Sequence, residues 1–446
     1  MTTELTVVNV MNKTVFTTGN SHPFSYRYGL MLIFASIVFS GCQDHRIPET
    51  PDSSLPTNVL YIENNVPVDN QNAILAYRRG ADGTLTALGG SPFVTSGKGV
   101  SNPTQKLGPD DSDQCIALSD DKKRLFAVNS GSNTIAVFNV ATDGSLTPVP
   151  NSPFPSGGIN PTSVSVAGNK LYVVNKNDDP LQPNTGKPNY TVLTIETDGR
   201  LTPLAGSTIE TTANVSPSQA HLAPGKKLLF GADFLAFMLP TPIGSLRAFT
   251  IGGDGKLSPT AGTPMNISGM GGALGLWAHP TQNVLYVGHP IEGMIGVYSY
   301  DSNTGALTFQ TKVMAGKAVC WLRVNKAGTR LYALVSGENR VAVYDLTNPL
   351  TPANLQFLDL KNSGPSYEVP MAGPFTTSEP FHEELSPDEK YLYVINQHTN
   401  PDFTISGNYN YLHTLVVSAN GQISEPSEPL QIPVDKTVRP QGIVVY

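Results

Sequence analysis

Three ionisable residues stand consecutively in this 446-residue chain: His382, Glu383 and Glu384 open the segment HEELSPDEKY (382–391). In an extended strand His382 and Glu384 share one face and Glu383 takes the other. An imidazole or carboxylate there suits a general base or an ion-binding group. A hydrated channel lining would use the same residues. His221 and Arg323 hold the same register before their turns, in QAHLAPGKK (219–227) and CWLRVNKAGTR (320–330). Together His221, Arg323 and Glu384 could make a ring of His, Arg and Glu along a channel. His221 would equally serve a hydrogen bond between segments, and Arg323 could simply pair with Glu384. His279 lies in an Ala-His-Pro-Thr turn at the opposite end and is set aside. His398 and His413 are expected in solvent. No HExxH, CxxC, GxSxG or phosphate-loop motif is present, which leaves zinc-protease, redox and serine-hydrolase readings without support. No cofactor and no metal set is expected. Loops 176–190 and 396–410 carry Asn and Asp oxygens, but no EF-hand spacing.

The elements that must position these residues repeat. A Leu-Tyr/Phe step recurs at Leu60, Leu125, Leu171, Leu229, Leu285, Leu331 and Leu392, about 56 residues apart on average. Each step follows an apolar strand and a tight polar turn, as in TSVSVAGNK (162–170) and LGLWAHPTQNV (274–284). Each precedes an alternating strand, such as TIAVFNV (134–140) or RVAVYDL (340–346), and then a short edge strand. The Asp-Gly pairs in ATDGSLTPV, ETDGRLTPL and GGDGKLSPT supply the positive φ that hairpins require. Four antiparallel strands repeated seven times predict an all-β fold: a seven-bladed β-propeller over 58–446, its strands lettered A to D from the channel outward. The first copy lacks a strand A, and residues 439–446 read as a strand A without a partner. The C-terminal strand is thus expected to close the ring.

In a propeller the A–B and C–D turns share one face. The longer insertions, 98–112, 176–190, 234–244, 363–380 and 396–410, fall on the other. Long loops often carry function, so that face is the expected binding face. Four residues after each recurrent Leu stand Asn64, Asn129, Asn175, Asp233, His289, Val335 and Asn396. Asn or Asp there caps a bend. His289 departs from the rule and is a candidate base. Asp233, Glu383 and Gln397 are candidate ligand contacts.

The phrases LYVVN, LYVIN and LSPDEKYLYV resemble the β-propeller lactonase family, which includes propeller-type 6-phosphogluconolactonases and carboxymuconate cyclases, and the related YVTN repeats. The resemblance spans nearly all of 58–446. It implies chemistry on cyclic esters, with a base to activate water and a group to polarise the carbonyl. It also implies a Glu at the end of a central strand B and an Arg at the end of the last one. Here His289 and Gln397 stand at those places. The expected function is a lactonase-like hydrolase acting on a sugar or cyclic-acid lactone, with His289 or His382 as base and Arg323 at the carbonyl. The alternative is a non-catalytic propeller that binds an envelope protein or glycan through its long loops.

Residues Gly29 to Ser40, GLMLIFASIVFS behind Arg27, are too short to span a bilayer and fit a secretory signal. Ser40-Gly41-Cys42 resembles a bacterial lipobox, with Cys42 the acylated residue. The expected organisation is a signal at 1–41, a polar, Pro-containing tether at 42–57 and the propeller at 58–446, held at the cell envelope by lipid alone. Net charge is −7 without a basic cluster, so nucleic acid is not an expected partner. A monomer is expected. Cys115 and Cys320 lie on different repeats and read as buried apolar thiols.

Overall fold

A computed structural model describes residues 56–100, 114–177, 186–241, 243–369, 372–400 and 402–446. The expected signal, Cys42 and nearly all of the tether lie outside them. Seven antiparallel sheets of four or five strands form the blades, with strand order A–B–C–D in each. Blade 2 is representative: A is Ile116–Leu118, B Arg124–Asn129, C Thr134–Val140, and D is split into Leu146–Pro148 and Phe154–Pro155. The other A strands are Gln441–Val445 (blade 1), Pro161–Ala167 (blade 3), His221–Leu222 (blade 4), Leu276–Ala278 (blade 5), Val319–Val324 (blade 6) and Ser378–Leu385 (blade 7). An eighth, two-stranded sheet, Ser366–Val369 with Gly373–Thr376, fills the connection from blade 6 to blade 7. The chain is therefore the expected seven-bladed propeller.

The middle of strand B is apolar because both of its faces are covered by neighbouring blades. Leu171 to Val174 are at most 1% exposed. The recurrent Tyr has a further use. The Tyr61 hydroxyl donates to the carbonyl of Gly144 in the C–D turn of the next blade (2.6 Å). Tyr172 does so to Gly255 (3.1 Å) and Tyr332 to Gly421 (3.0 Å). These turn glycines have φ of 86°, 85° and 81°. A Cβ on Gly144 would stand 2.8 Å from Val59 Cγ2, so the same residue meets the turn's positive φ and the close approach of the blades.

The inner A strands leave backbone groups without a sheet partner, and the preceding blade supplies side chains to them. Ser163 Oγ accepts from Ala220 N–H (3.1 Å) and Gln219 Oε1 from Leu276 N–H (2.6 Å). Where blades 5 and 6 meet, the backbones approach directly. A Cβ on Gly275 would lie 2.3 Å from the Cys320 carbonyl oxygen.

Ring closure is as expected. Leu60, Tyr61, Ile62 and Glu63 pair with Val445, Val444, Ile443 and Gln441. Cys115 and Cys320 are buried thiols, not bridged to one another. His398 and His413 depart from expectation, since both are fully buried. Strand B of blade 7 runs on to His398, whose ring packs against Phe403 and Tyr409. His413 Nδ1 bonds Glu425 Oε1 at 2.6 Å, a pair sealed between blades 6 and 7.

Candidate functional site

One layer of the channel wall takes a residue from each A strand at the same register before its turn. Blades 4 to 7 contribute His221, Trp277, Arg323 and Glu384; blades 2 and 3 contribute Ala117 and Ser165, and the closing strand contributes Val444. Four large or charged side chains thus face three small ones. The unfilled side leaves a cavity of about 310 Å³, also lined by His382, Glu383 and Gln114. It adjoins an outer cavity of about 520 Å³ that shares His221, Trp277, Arg323 and Glu384. Pro224, Gly225, Pro280, Asn325, Lys326 and Pro387 form the outer walls.

Those outer residues are A–B turn residues, so both cavities open toward the short-turn face. This differs from the face expected from loop lengths. The reason is side-chain size. The ends of strand B toward the long loops carry polar side chains that are 0–2% exposed, among them Asn129, Asn175, His289, Asn396 and Gln397. At the turn end, Ala117, Ser165 and Val444 leave room.

The charged half is a stack. The Arg323 guanidinium lies over the Trp277 ring at 3.7 Å, and His221 packs on the same indole at 4.7 Å. Arg323 Nη2 contacts Glu384 Oε2 at 3.0 Å and donates to the Glu383 carbonyl at 2.8 Å. Its Nε–H is buried without a hydrogen-bond partner among the described residues. Burial raises the Glu384 pKa, and the Arg323 charge opposes that rise. About 26% of the Glu384 side chain remains exposed, toward the cavity.

His221 holds a neutral ring in place. Nε2 accepts from Ala278 N–H (3.0 Å), which leaves the proton on Nδ1, 3.3 Å from Gln114 Oε1. Burial, and then the charge of Arg323, push its pKa down to about 3. His382 makes a related bridge to the closing strand: its Nδ1 accepts from Gly442 N–H at 2.7 Å. The neutral ring therefore carries its proton on Nε2. His382 also packs on Trp321 at 5.1 Å.

The structure thus brings together His221, Arg323, His382, Glu383 and Glu384. It places His289, Asp233 and Gln397 elsewhere. His289 Nδ1 donates to the Gly271 carbonyl (3.0 Å), its Nε2 accepts from the Tyr298 hydroxyl (3.1 Å), and burial lowers its pKa to about 4. Asp233 Oδ2 receives Nε and Nη2 of Arg247 at 2.7 and 2.6 Å. Gln397 Nε2 donates to the Pro440 carbonyl at 2.9 Å. Trp277 was not singled out from the sequence. The signal was there, since Trp277-Ala278-His279-Pro280 aligns with His221-Leu222-Ala223-Pro224.

Residues 284–396 match the family model described as Lactonase, 7-bladed beta-propeller. This stretch runs from strand B of blade 5 to strand B of blade 7 and includes Arg323, His382 and Glu384. No curated protein matches the sequence. Among solved structures, the periplasmic gluconolactonase PpgL of Pseudomonas aeruginosa superposes with a TM-score of 0.64 at 16% identity, over 86% of this chain and 98% of its own. A Bacteroides fragilis protein thought to be a 6-phosphogluconolactonase gives 0.63 at 17%, over 89% and 99%. A protein from Lactobacillus plantarum gives 0.61 at 17%, over 86% and 99%. Likeness at this identity establishes the fold. In sequence from its fifth to its seventh blade, and in fold over the whole ring, the chain resembles the β-propeller lactonase family.

Proposed function

We propose that the chain hydrolyses a small lactone in the cavity beside Arg323 and Glu384. The observation that carries this reading is the pair itself: a stacked guanidinium with an unpartnered buried N–H, in contact with a carboxylate, facing a cavity of about 310 Å³. That volume suits a ring of five or six members. The lactone carbonyl oxygen takes hydrogen bonds from the Arg323 guanidinium, which stabilises the oxyanion as it forms. Glu384 removes a proton from water, and the hydroxide adds to the carbonyl carbon. The ring C–O bond then breaks, and the departing alkoxide takes the proton that Glu384 collected. The product is the open hydroxy acid. His382 ties the cavity wall to the closing strand, and neutral His221 fixes the far side of Trp277.

The test is a panel of neutral and acidic lactones followed by acid release. Glu384→Gln should lower kcat by roughly 10²-fold or more, as loss of a general base does. Arg323→Ala should lower it by a similar factor. His289→Ala should leave turnover by the folded enzyme within a fewfold. Because burial raises the Glu384 pKa, activity should rise with pH through a value above the ordinary glutamate range, and Glu384→Gln should abolish that limb. Turnover that survives both Glu384→Gln and Arg323→Ala would sink the site. Failure of every lactone would favour the non-catalytic reading, for which the complete Arg323–Glu384 pair also speaks.

We also propose that the chain is exported and held at the envelope through acylated Cys42. The order of charge, apolar core, small residues and cysteine in 27–42 supports this. So does the periplasmic setting named for the Pseudomonas aeruginosa relative. Labelled palmitate should enter the wild-type chain and not Cys42→Ala. A soluble, unlabelled wild type would reject the anchor.

A further inference from the structure

An ionic strap crosses the turn-side rim of the channel. Lys226, in the A–B turn of blade 4, reaches Asp120 Oδ1 in the A–B turn of blade 2. On the way Lys226 Nζ donates to the Val166 carbonyl of blade 3 at 3.1 Å. Asp120 Oδ2 accepts from Gly168 N–H, in the turn of that same blade, at 2.8 Å. Three consecutive blades are thus tied over the half of the wall built from small residues. Both side chains line the inner cavity, and Lys226 lines the outer one as well.

We propose that the Lys226–Asp120 pair is a latch over the cavity, and that these two residues set the size of the molecule admitted to Arg323 and Glu384. The two side chains are 43% and 44% exposed. Pairs this exposed are weak and screened by salt, so the latch exchanges readily between closed and open. A lysine stem is long and flexible, and releasing it removes a whole side chain from the rim. Asp120 stays anchored by Gly168, so the moving part is Lys226. The turn lysine of blade 6 reaches only the adjacent blade: Lys326 Nζ bonds the Pro387 carbonyl of blade 7 at 2.5 Å, within the rim.

Size selection rests on the cavity being the site proposed above, whereas opening of the latch belongs to the free protein and can be read without turnover. The chain has two tryptophans, Trp277 in the cavity wall and Trp321 at 1% exposure. Acrylamide quenching of their emission in the full chain therefore reports entry to the cavity. The wild-type quenching constant should rise about twofold between roughly 0.05 and 0.5 M NaCl, as screening releases Lys226. Lys226→Ala and Asp120→Asn should begin at the raised value and lose the salt response, and Trp277→Phe should abolish it. Unchanged quenching in both latch variants, with wild-type circular dichroism, would overturn the proposal. On lactones, Lys226→Ala should lower KM for a long-chain lactone at least threefold relative to KM for a compact one. An unaltered preference between the two would overturn size selection. A normal quenching response without any lactone turnover would reject the hydrolase reading and leave the latch standing.

Discussion

At the scale of single residues, the charged groups fall into those that face the cavity and those walled in as structure. Glu63 is of the second kind. It ends strand B of blade 1, is fully buried, and accepts from Asn72 Nδ2 at 2.6 Å. Burial pushes its pKa up to about 8, against the pull of hydrogen bonds from Asn72, Cys115 and Gln441. The folded chain therefore keeps a proton that the unfolded chain releases near pH 4.5. Between those values the native state binds more protons, so this group lowers stability as pH rises from about 4.5 to about 8, and its effect is constant above. Glu63→Gln keeps the acceptor for Asn72 and never ionises. It should stabilise the fold near pH 8 by up to a few kcal/mol, an upper bound set by the size of the shift, with the gain gone by about pH 4. Chemical denaturation at several pH values checks this, and a gain independent of pH would contradict the buried charge. The sequence made the A-strand group legible, because His221, Arg323 and Glu384 share a register before aligned turns. It did not separate them from His289, since whether an imidazole lines the cavity or is walled in away from it depends on groups such as Gly271 and Tyr298, packed around it by the folded blade.

At the scale of elements, the Leu-Tyr step announced strand B because it serves two demands at once. Apolar residues on both faces meet the adjacent blades, and the hydroxyl of Tyr61, Tyr172 or Tyr332 meets a turn carbonyl across the gap. Blade 2 has Phe126 at that position, and Arg124 takes over the link: its Nη2 donates to the Thr197 carbonyl in the next blade's C–D turn at 2.7 Å. The Asp-Gly turns were legible for a similar local reason. Asp143 Oδ1 receives Ser145 N–H at 2.9 Å while Gly144 takes the positive φ. The open end of the channel was not legible from loop length. Access is set by the bulk of side chains across seven A strands and at the ends of strand B, a sum over distant positions. Long loops marked where the chain tolerates insertion, and the small residues Ala117, Ser165 and Val444 marked where space remains. The hairpin Ser366–Val369 with Gly373–Thr376 shows that one insertion builds its own structure.

At the scale of the whole molecule, stability depends on the last strand closing what the first blade leaves open. Gln441–Val445 pairs along strand B of blade 1, and Tyr446 N–H donates to the Val59 carbonyl at 2.8 Å. Blade 7 holds the same strand from its other side, through His382 to Gly442 and Gln397 to Pro440. Asn65 adds a bond to the Arg439 carbonyl at 2.9 Å. Tyr446 packs edge-on against Tyr61 at 5.9 Å. The ties to blade 1 join positions nearly 400 apart, so they form late and reward only a completed ring. Removing 439–446 leaves blade 1 with an unpaired inner edge and uncovers Leu60 and Ile62, which are 0% exposed in the closed ring. Loss of Ile443 and Tyr446 burial alone removes roughly 3–6 kcal/mol, and the melting temperature should fall on the order of 10 °C. Gln397→Ala removes one tie and should shift it far less. An unchanged melting temperature after truncation would mean that blade 1 stands without its inner strand, and the ring could not then be what holds Glu384 against Arg323.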